Sequence, residues 1–194
     1  MTRDDEAGVL EFLRSAESLK THKRTAWTSA GERESVAEHT WRVALMALVL
    51  GDELGGLDVG RLLRICIIHD LGEAIGGDVP AIEPASSGKA QSERRDLLTL
   101  LSPLPPRMRD EITALWDEYE AAVTPEARAA KALDKLETIM QHNQGTNPGD
   151  FDYAFNLDYG RRFTEQPALI AGLRRVLDDE TRARDAAARS GSAP

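Results

Sequence analysis

The chain has 194 residues, of which 41% are hydrophobic and 29% are charged. This length and composition are typical of one globular domain and exclude a disordered or fibrous protein. The formal net charge of -9 repels nucleic-acid backbones and anionic membrane surfaces, so we expect neither as a partner. A phosphate compound would need a local cation, either a basic side chain or a metal ion.

The lone cysteine and the short apolar runs indicate a cytoplasmic protein. Cys66 lies within an apolar run, so an intrachain disulfide is excluded and a buried thiol is expected. The longest uninterrupted apolar run, residues 43–50, is far shorter than the roughly 20 residues of a membrane-spanning helix. The acidic N-terminal stretch resembles no signal peptide. We therefore expect no membrane partner.

Apolar positions recur at helical spacing along the chain, which predicts an all-α protein. A first helix is expected over residues 6–19, followed by a loop that contains lysine and arginine. The tetrapeptide Ser35-Val36-Ala37-Glu38 matches the capping box and predicts a helix that runs to about residue 54. His39 would then lie in the first turn of a buried helix.

Capping residues and prolines predict where the remaining helices begin and end. Asp58 is placed to cap a helix that carries His69-Asp70 at its C-terminal end and ends near Gly72. Residues 83–92 are polar and are predicted to form a mobile surface loop. Further helices are expected over residues 93–101, 106–122, 125–142 and 166–184, which gives about six to eight in total. We predict a single domain over residues 1–185 and a flexible tail over residues 186–194.

The chemistry is expected where histidines and acidic residues interrupt apolar helix faces. The dipeptide His69-Asp70 directly follows a buried apolar run, where desolvation is costly unless a partner such as a divalent cation compensates the charge. Glu73 follows His69 by four residues, so a continuing helix would put both on one side. Asp78 follows two glycines and could return over the site from a tight turn, although ordinary loop composition explains it equally.

Asp134 lies in the middle of a predicted helix at the edge of its apolar face, where a carboxylate is either solvent-facing or paired. Taken singly, Asp134 and His39 are better explained by a structural role than by metal binding. Their joint occurrence with His69-Asp70 favours the metal-binding interpretation.

The order His39, His69-Asp70, Asp134 on separate predicted helices resembles the H…HD…D signature of the HD-domain metal-dependent phosphohydrolases. Residues 34–43, 69–78 and 133–137 are similar to three motif blocks of the 5'-deoxynucleotidase branch, called YfbR-like in bacteria and HD-domain-containing protein in eukaryotes. The similarity extends from about residue 10 to residue 177. It implies a compact HD-domain helical bundle and a phosphohydrolase activity.

The resemblance makes His39, His69, Asp70 and Asp134 the ligands of one divalent cation. Two nitrogen and two oxygen donors suit Mn, Co, Zn or Fe(II). Dinuclear members of the superfamily have further histidine ligands before the last aspartate, and residues 71–133 contain no histidine. A mononuclear site follows, which favours phosphomonoester hydrolysis.

The resemblance also implies removal of the 5'-phosphate from (deoxy)ribonucleoside 5'-monophosphates. Glu73 is expected to transfer a proton and Asp78 to orient the attacking water or the leaving oxygen, because both follow the ligand pair closely without being needed as metal ligands. Arg24 fits the position of a phosphate-binding arginine, and Trp27 that of the tryptophan associated with the sugar. In the bacterial branch the tryptophan follows the arginine at once, whereas here Thr25 follows it, as in eukaryotic-type sequences. Selectivity between deoxyribose and ribose therefore stays open. From the residues alone, Arg24 is also explained as a solvated loop charge and Trp27 as an anchoring aromatic.

Three alternatives to a nucleotidase are considered. They are a phosphatase for another small phosphoester, a non-catalytic metal- and nucleotide-binding sensor, and a structural helical adaptor. The presence of Glu73 and Asp78 favours an enzyme over a sensor, and an adaptor would bind neither metal nor phosphate. The family resemblance further suggests a homodimer.

Overall fold

The structure is a computed structural model that describes residues 1–77 and 88–191. The described part contains ten α-helical segments, two short 3₁₀ helices and one two-stranded antiparallel sheet. The helices are α1 (Arg3–Ser15), α2 (Val36–Leu50), α3 (Val59–Ile68), α4 (Glu73–Gly76), α5 (Lys89–Leu100), α6 (Pro106–Ala121), α7 (Pro125–Gln144), α8 (Phe155–Asp158), α9 (Arg161–Thr164) and α10 (Ala168–Arg189).

The all-α prediction is confirmed, with more helical segments than the six to eight expected. The difference arises because α4, α8 and α9 are single turns of four residues each. The 3₁₀ helices Ala16–Lys20 and Gly51–Leu54 continue α1 and α2 to about the helix ends that the sequence predicted.

A short β-hairpin occupies the stretch that the sequence pattern predicted as a loop. Strand β1 (Lys23–Trp27) pairs antiparallel with β2 (Arg33–Ser35). A hydrogen bond joins the hairpin to the end of α7: Gln141 Nε2 donates to the main-chain oxygen of Trp27. This attachment holds the side chains of β1 against α7.

Capping residues set the starts of the helices that carry the predicted site. Ser35 Oγ accepts a hydrogen bond from the Glu38 main-chain N at 3.2 Å, and the Glu38 carboxylate accepts one from the Ser35 N at 2.6 Å. Asp58 and Thr124 each accept a bond from the main-chain N three residues later, at 2.9 and 3.2 Å. These bonds satisfy exposed helix donors, so the predicted starts of α2, α3 and α7 are confirmed.

Helix α3 ends earlier than predicted. It stops at Ile68 instead of near Gly72, and residues 69–72 form turns before α4 begins at Glu73. A Cβ on Gly72 would lie 2.8 Å from the main-chain oxygen of Glu93, so α5 packs against this turn where only glycine fits. The break places His69 and Asp70 in a turn rather than on a regular helix.

The start of α5 and the end of α10 also differ from the predictions. Helix α5 begins at Lys89, four residues before the predicted start and within the predicted surface loop. The part of that loop before residue 88 lies outside the described residues. Helix α10 continues to Arg189, beyond the predicted end at residue 184, and residues 192–194 of the predicted tail lie outside the described residues.

Helix α7 lies at the centre of the molecule. It contacts α2, α3, α6, α9 and α10, and its apolar side chains Leu133, Leu136 and Ile139 are fully buried. Burial of these side chains supplies the main driving force for packing the other helices around α7. Because α7 is central, several of its polar side chains are also buried, and they need hydrogen-bond or ion-pair partners there. Across residues 1–77 and 88–191, no helix is both long and apolar enough to cross a membrane.

Candidate metal centre

Four side chains from three parts of the fold converge beside α7. His39 Nε2 of α2 lies 3.3 Å from Asp134 Oδ1 of α7 and 3.7 Å from Asp70 Oδ2. His69 Nε2 lies 3.2 Å from Asp70 Oδ2. One ligand atom from each of His39, His69 and Asp70 falls within 4.8 Å of the others. The structure therefore brings together all four predicted ligands.

The two histidines are oriented so that each Nε2 faces this cluster. His39 Nδ1 bonds the carboxylate of Glu137, and His69 Nδ1 lies 2.7 Å from the main-chain oxygen of Cys66. Among the described residues, both buried Nε2 atoms have no hydrogen-bond partner. A histidine whose Nδ1–H is donated to an acceptor presents the lone pair of Nε2, which is the usual arrangement of a metal ligand. The donor set thus fits a divalent cation.

Both aspartates of the cluster are held ionised. Burial acts to raise the pKa of Asp70, but the adjacent His69 lowers it below the ordinary range. Burial likewise opposes ionisation of Asp134, but the charge of Lys135 and the proximity of His39 lower its pKa well below the ordinary value. Ionised carboxylate oxygens beside imidazole nitrogens are a donor set that suits a divalent cation.

A second acidic cluster lies on the far side of His39. One ligand atom from each of Glu34, His39 and Glu137 lies within 4.8 Å of the others, which is close enough for the three to bind one ion. However, Arg24 Nη1 donates to Glu34 Oε2 at 2.8 Å, and Arg42 Nε donates to Glu137 Oε1 at 2.7 Å. Burial raises the pKa of Glu137, but His39 and the arginines lower it to about 2. Guanidinium groups already balance these carboxylates, so this cluster supports the position of His39 and needs no ion.

A cavity of about 630 Å³ opens from the candidate metal centre. Its wall includes Asp70, Asp134 and Glu73, together with Arg24 and Trp27 of the hairpin. This volume lies within the usual range of small-molecule sites. Glu73 begins α4 and is 7% exposed. Asp78, the other predicted catalytic residue, lies outside the described residues.

The two residues predicted to bind substrate are fixed in the cavity wall. Arg24 Nη2 donates to Thr138 Oγ1 at 3.1 Å, and its side chain is 12% exposed. Burial acts to lower the pKa of Arg24, but the charges of Glu137 and Glu34 outweigh it and raise the pKa above its ordinary value. The guanidinium therefore keeps its charge. Arg24 is therefore not a solvated loop charge. The ring of Trp27 packs edge-on against Phe151, with centroids 6.2 Å apart.

Sequence reasoning assigned no role to several residues that shape the site. Lys135 and Glu137 stand beside Asp134 in the third motif block, so that block contained a usable signal for both. Tyr119, whose hydroxyl donates to Asp134 Oδ2 at 2.7 Å, lies on α6, and no sequence spacing relates it to Asp134. Lys131 lies over the Tyr119 ring, with Nζ 3.7 Å from the ring centroid.

Comparison with known proteins identifies the class to which this fold and site belong. The model of the HD domain family matches residues 16–171. The crystal structure of a "predicted metal-dependent phosphohydrolase" from Magnetospirillum magnetotacticum MS-1 is 32% identical, has a TM-score of 0.80, and matches 93% of this chain and 94% of that one. The chain therefore belongs to the HD domain family, as the sequence resemblance predicted.

Curated relatives show which members of that family the chain resembles. The chain is 36% identical to 5'-deoxynucleotidase HDDC2 of Mus musculus over 141 residues, which make up 71% of this chain and 70% of that protein. It is 35% identical to the Homo sapiens protein of the same name, over 70% of this chain and 67% of that protein. The prediction of an HD-domain phosphohydrolase is confirmed.

Proposed function

We propose that the protein removes the 5'-phosphate from (deoxy)ribonucleoside 5'-monophosphates in a metal-dependent reaction. The observation that carries this proposal is the pair of buried Nε2 atoms of His39 and His69, which face two ionised carboxylates at the wall of a small-molecule cavity. The names of the relatives, 5'-deoxynucleotidases at about 35% identity, support the substrate class.

His39, His69, Asp70 and Asp134 would hold one divalent cation, for which Mn, Co, Zn and Fe(II) are all suitable. When bound, such an ion neutralises phosphate charge and lowers the pKa of a water molecule that acts as the nucleophile. Asp134 would supply Oδ1, because Oδ2 is already engaged by Tyr119 and Lys135. The Nδ1 bonds of the two histidines keep their rings aimed at the ion.

Arg24 and Glu73 would act on the substrate itself. The Arg24 guanidinium uses Nη1 and Nη2 for Glu34 and Thr138, which fixes its position and leaves further N–H groups for phosphate oxygens. Glu73 lies in the same cavity wall, where a carboxylate can take a proton from the attacking water and return it to the leaving 5'-oxygen. Asp78 stays a prediction for orienting the water or the leaving oxygen.

The proposed activity is tested by measuring phosphate release from a panel of nucleoside monophosphates, each assayed with added Mn, Co, Zn or Fe(II). The panel contains deoxyribose and ribose forms of the 5'- and 3'-monophosphates. We expect release from the 5'-esters only, and only with metal. Equal release from 3'-esters would indicate a general phosphatase, and nucleotide binding without release would indicate a sensor.

We also propose a homodimer, which the family resemblance suggests and an apolar surface supports. Trp41, Leu45, Leu48 and Val49 recur at helical spacing along α2 and are each at least 40% exposed. Exposed apolar stripes of this kind are typical of protein interfaces. Light scattering of the 21.3 kDa chain should give twice that mass, and Trp41→Glu should give the monomer mass. A monomeric wild-type protein would contradict the dimer.

A further inference from the structure

Aromatic rings line part of the same cavity. Phe151, Phe155 and Tyr159, from the segment that follows α7, line the cavity together with Trp27 and His142. The Phe151 ring packs against His142 with centroids 4.9 Å apart, and the Phe155 and Tyr159 centroids are 5.2 Å apart. We call Phe151, Phe155 and Tyr159 the aromatic wall. The metal-dependent chemistry described above uses none of these three residues.

The aromatic wall begins next to the candidate metal centre. Lys135 Nζ lies 3.0 Å from the Tyr159 hydroxyl and 2.9 Å from Asp134 Oδ2. One lysine ammonium thus separates a ring of the wall from a proposed metal ligand. A ligand with its phosphate at the metal would extend along the wall, because the 630 Å³ cavity includes both.

A buried arginine holds the main chain of the wall in place. Arg174 donates to the main-chain oxygens of Asn156 and Leu157, at 2.8 and 2.7 Å, and to that of Tyr159 at 2.7 Å. Asn156 is itself buried, and its Oδ1 lies 2.8 Å from His142 Nδ1. The segment that carries Phe155 and Tyr159 is therefore held in place before any ligand binds, which reduces the ordering cost of binding.

We propose that the aromatic wall, through Phe151 and Phe155, binds the planar base of the substrate while the phosphate lies at the metal centre. The inference rests on the proposed function for the kind of substrate. Stacking on an aromatic ring tolerates every base, since each base has a π-face. The site should therefore prefer nucleoside monophosphates over base-free sugar phosphates and discriminate weakly among bases.

The test measures binding of two separate parts of the substrate by isothermal titration calorimetry of the full chain with added metal. Deoxyadenosine carries the base without the phosphate, and deoxyribose 5-phosphate carries the phosphate without the base. The variants are Phe151→Leu, Phe155→Leu and the ring-retaining Phe151→Tyr. Phe163→Leu is the matched control, because Phe163 packs against the core and is outside the cavity lining of the described residues.

We expect deoxyadenosine to bind about 10-fold more weakly to Phe151→Leu and Phe155→Leu, a loss in the range of single base–aromatic contacts. Phe151→Tyr and Phe163→Leu should bind it like the wild type, and all variants should bind deoxyribose 5-phosphate equally. Wild-type protein without deoxyadenosine binding, equal affinity in every variant, or parallel loss of both probes would overturn the proposal. Deoxyadenosine has no phosphate ester to hydrolyse, so deoxyadenosine binding without phosphate release in the panel would contradict the proposed function alone.

Discussion

The hydroxyl of Tyr119 donates a hydrogen bond to Oδ2 of Asp134 at 2.7 Å. The other oxygen of the same carboxylate, Oδ1, is thereby turned toward His39 Nε2 at 3.3 Å. Burial and the neighbouring charge of Asp134 raise the pKa of Tyr119 well above its ordinary value, so the phenol keeps its proton and stays a donor. Tyr119 therefore positions a proposed metal ligand from a different helix.

Tyr119→Phe should weaken binding of the divalent ion by about 10- to 100-fold, the usual effect of removing a hydrogen bond to a ligand side chain. The ring and its packing are retained, so the fold should persist. Competition with a metal-chelating dye measures the affinity. Tyr153→Phe is the control, because the Tyr153 hydroxyl bonds Asn147 and none of the four proposed ligands. Equal metal affinity in both variants would show that Tyr119 has no positioning role.

Purified protein should contain about one divalent ion per chain, and Asp134→Ala should lose most of it because one of the four proposed ligands is removed. Elemental analysis of protein purified in the presence of Mn, Co, Zn or Fe(II) gives the ratio. Asp117→Ala is a suitable control, since Asp117 forms a surface ion pair with Arg94. Two ions per chain would contradict the mononuclear site.

Glu73→Gln should keep the metal and lower phosphate release by about 10²-fold or more, because the amide cannot transfer a proton. Single-turnover phosphate release with measured metal content separates these two effects. Glu111→Gln, which alters an exposed partner of Arg64, should leave the rate unchanged. Undiminished release by Glu73→Gln would remove Glu73 from the mechanism.

Arg24→Lys should lower kcat/KM for nucleoside 5'-monophosphates by an amount equivalent to about 1 to 3 kcal/mol, the loss expected for a charge-assisted hydrogen bond. Lysine keeps the charge but lacks the planar fork of N–H donors with which Arg24 bonds Glu34 and Thr138 and would bind phosphate. Steady-state kinetics on 5'-dAMP and 5'-AMP check this, with metal content as an internal reference.

Arg33→Lys is the matched control for Arg24→Lys, because Arg33 lies in the same hairpin and donates to the main-chain oxygens of Lys23 and Arg24. Wild-type kinetics in Arg24→Lys would contradict a phosphate-binding role. A loss confined to one sugar would show that the hairpin also distinguishes the 2' position.

Arg174→Met should lower the free energy of unfolding by about 3 to 5 kcal/mol, because it removes the buried cation that bonds Asp178 and several main-chain oxygens. In the wild type, Arg174 Nε bonds Asp178 Oδ1 at 2.6 Å. Urea unfolding followed by circular dichroism measures the change. Arg175→Met, at an exposed neighbouring position, should change stability little. A loss below about 1 kcal/mol for Arg174→Met would mean that the interior tolerates the loss of this buried ion pair.

Helix starts could be predicted from the sequence because they depend on hydrogen bonds between residues three apart. Ser35 and Asp58 each cap the helix that they were predicted to cap, and Thr124 caps α7 directly before its predicted start at residue 125. Helix ends were less predictable. The stop of α3 at Ile68 depends on close packing of α5 against Gly72, which no local pattern reveals.

The β-hairpin was missed for a related reason. Its strands have five and three residues, too few to show a clear alternation of apolar and polar side chains. Its position depends on contacts with α7 such as the bond from Gln141 to Trp27, which are 114 residues apart in the chain. The burial of Arg24 follows from that contact, so sequence reasoning could not choose between a buried and a solvated arginine.

The sequence by itself determined the helical class and the candidate ligands His39, His69, Asp70 and Asp134, because both depend on residue type, order and local spacing. Only the tertiary structure decided how those ligands are oriented. His39 is held by Glu137 across 98 residues of chain, and Asp134 is held by Tyr119 of another helix. Such bonds form only after the hydrophobic core has packed the helices around α7, so a single sequence contains no periodic signal from which they could be predicted.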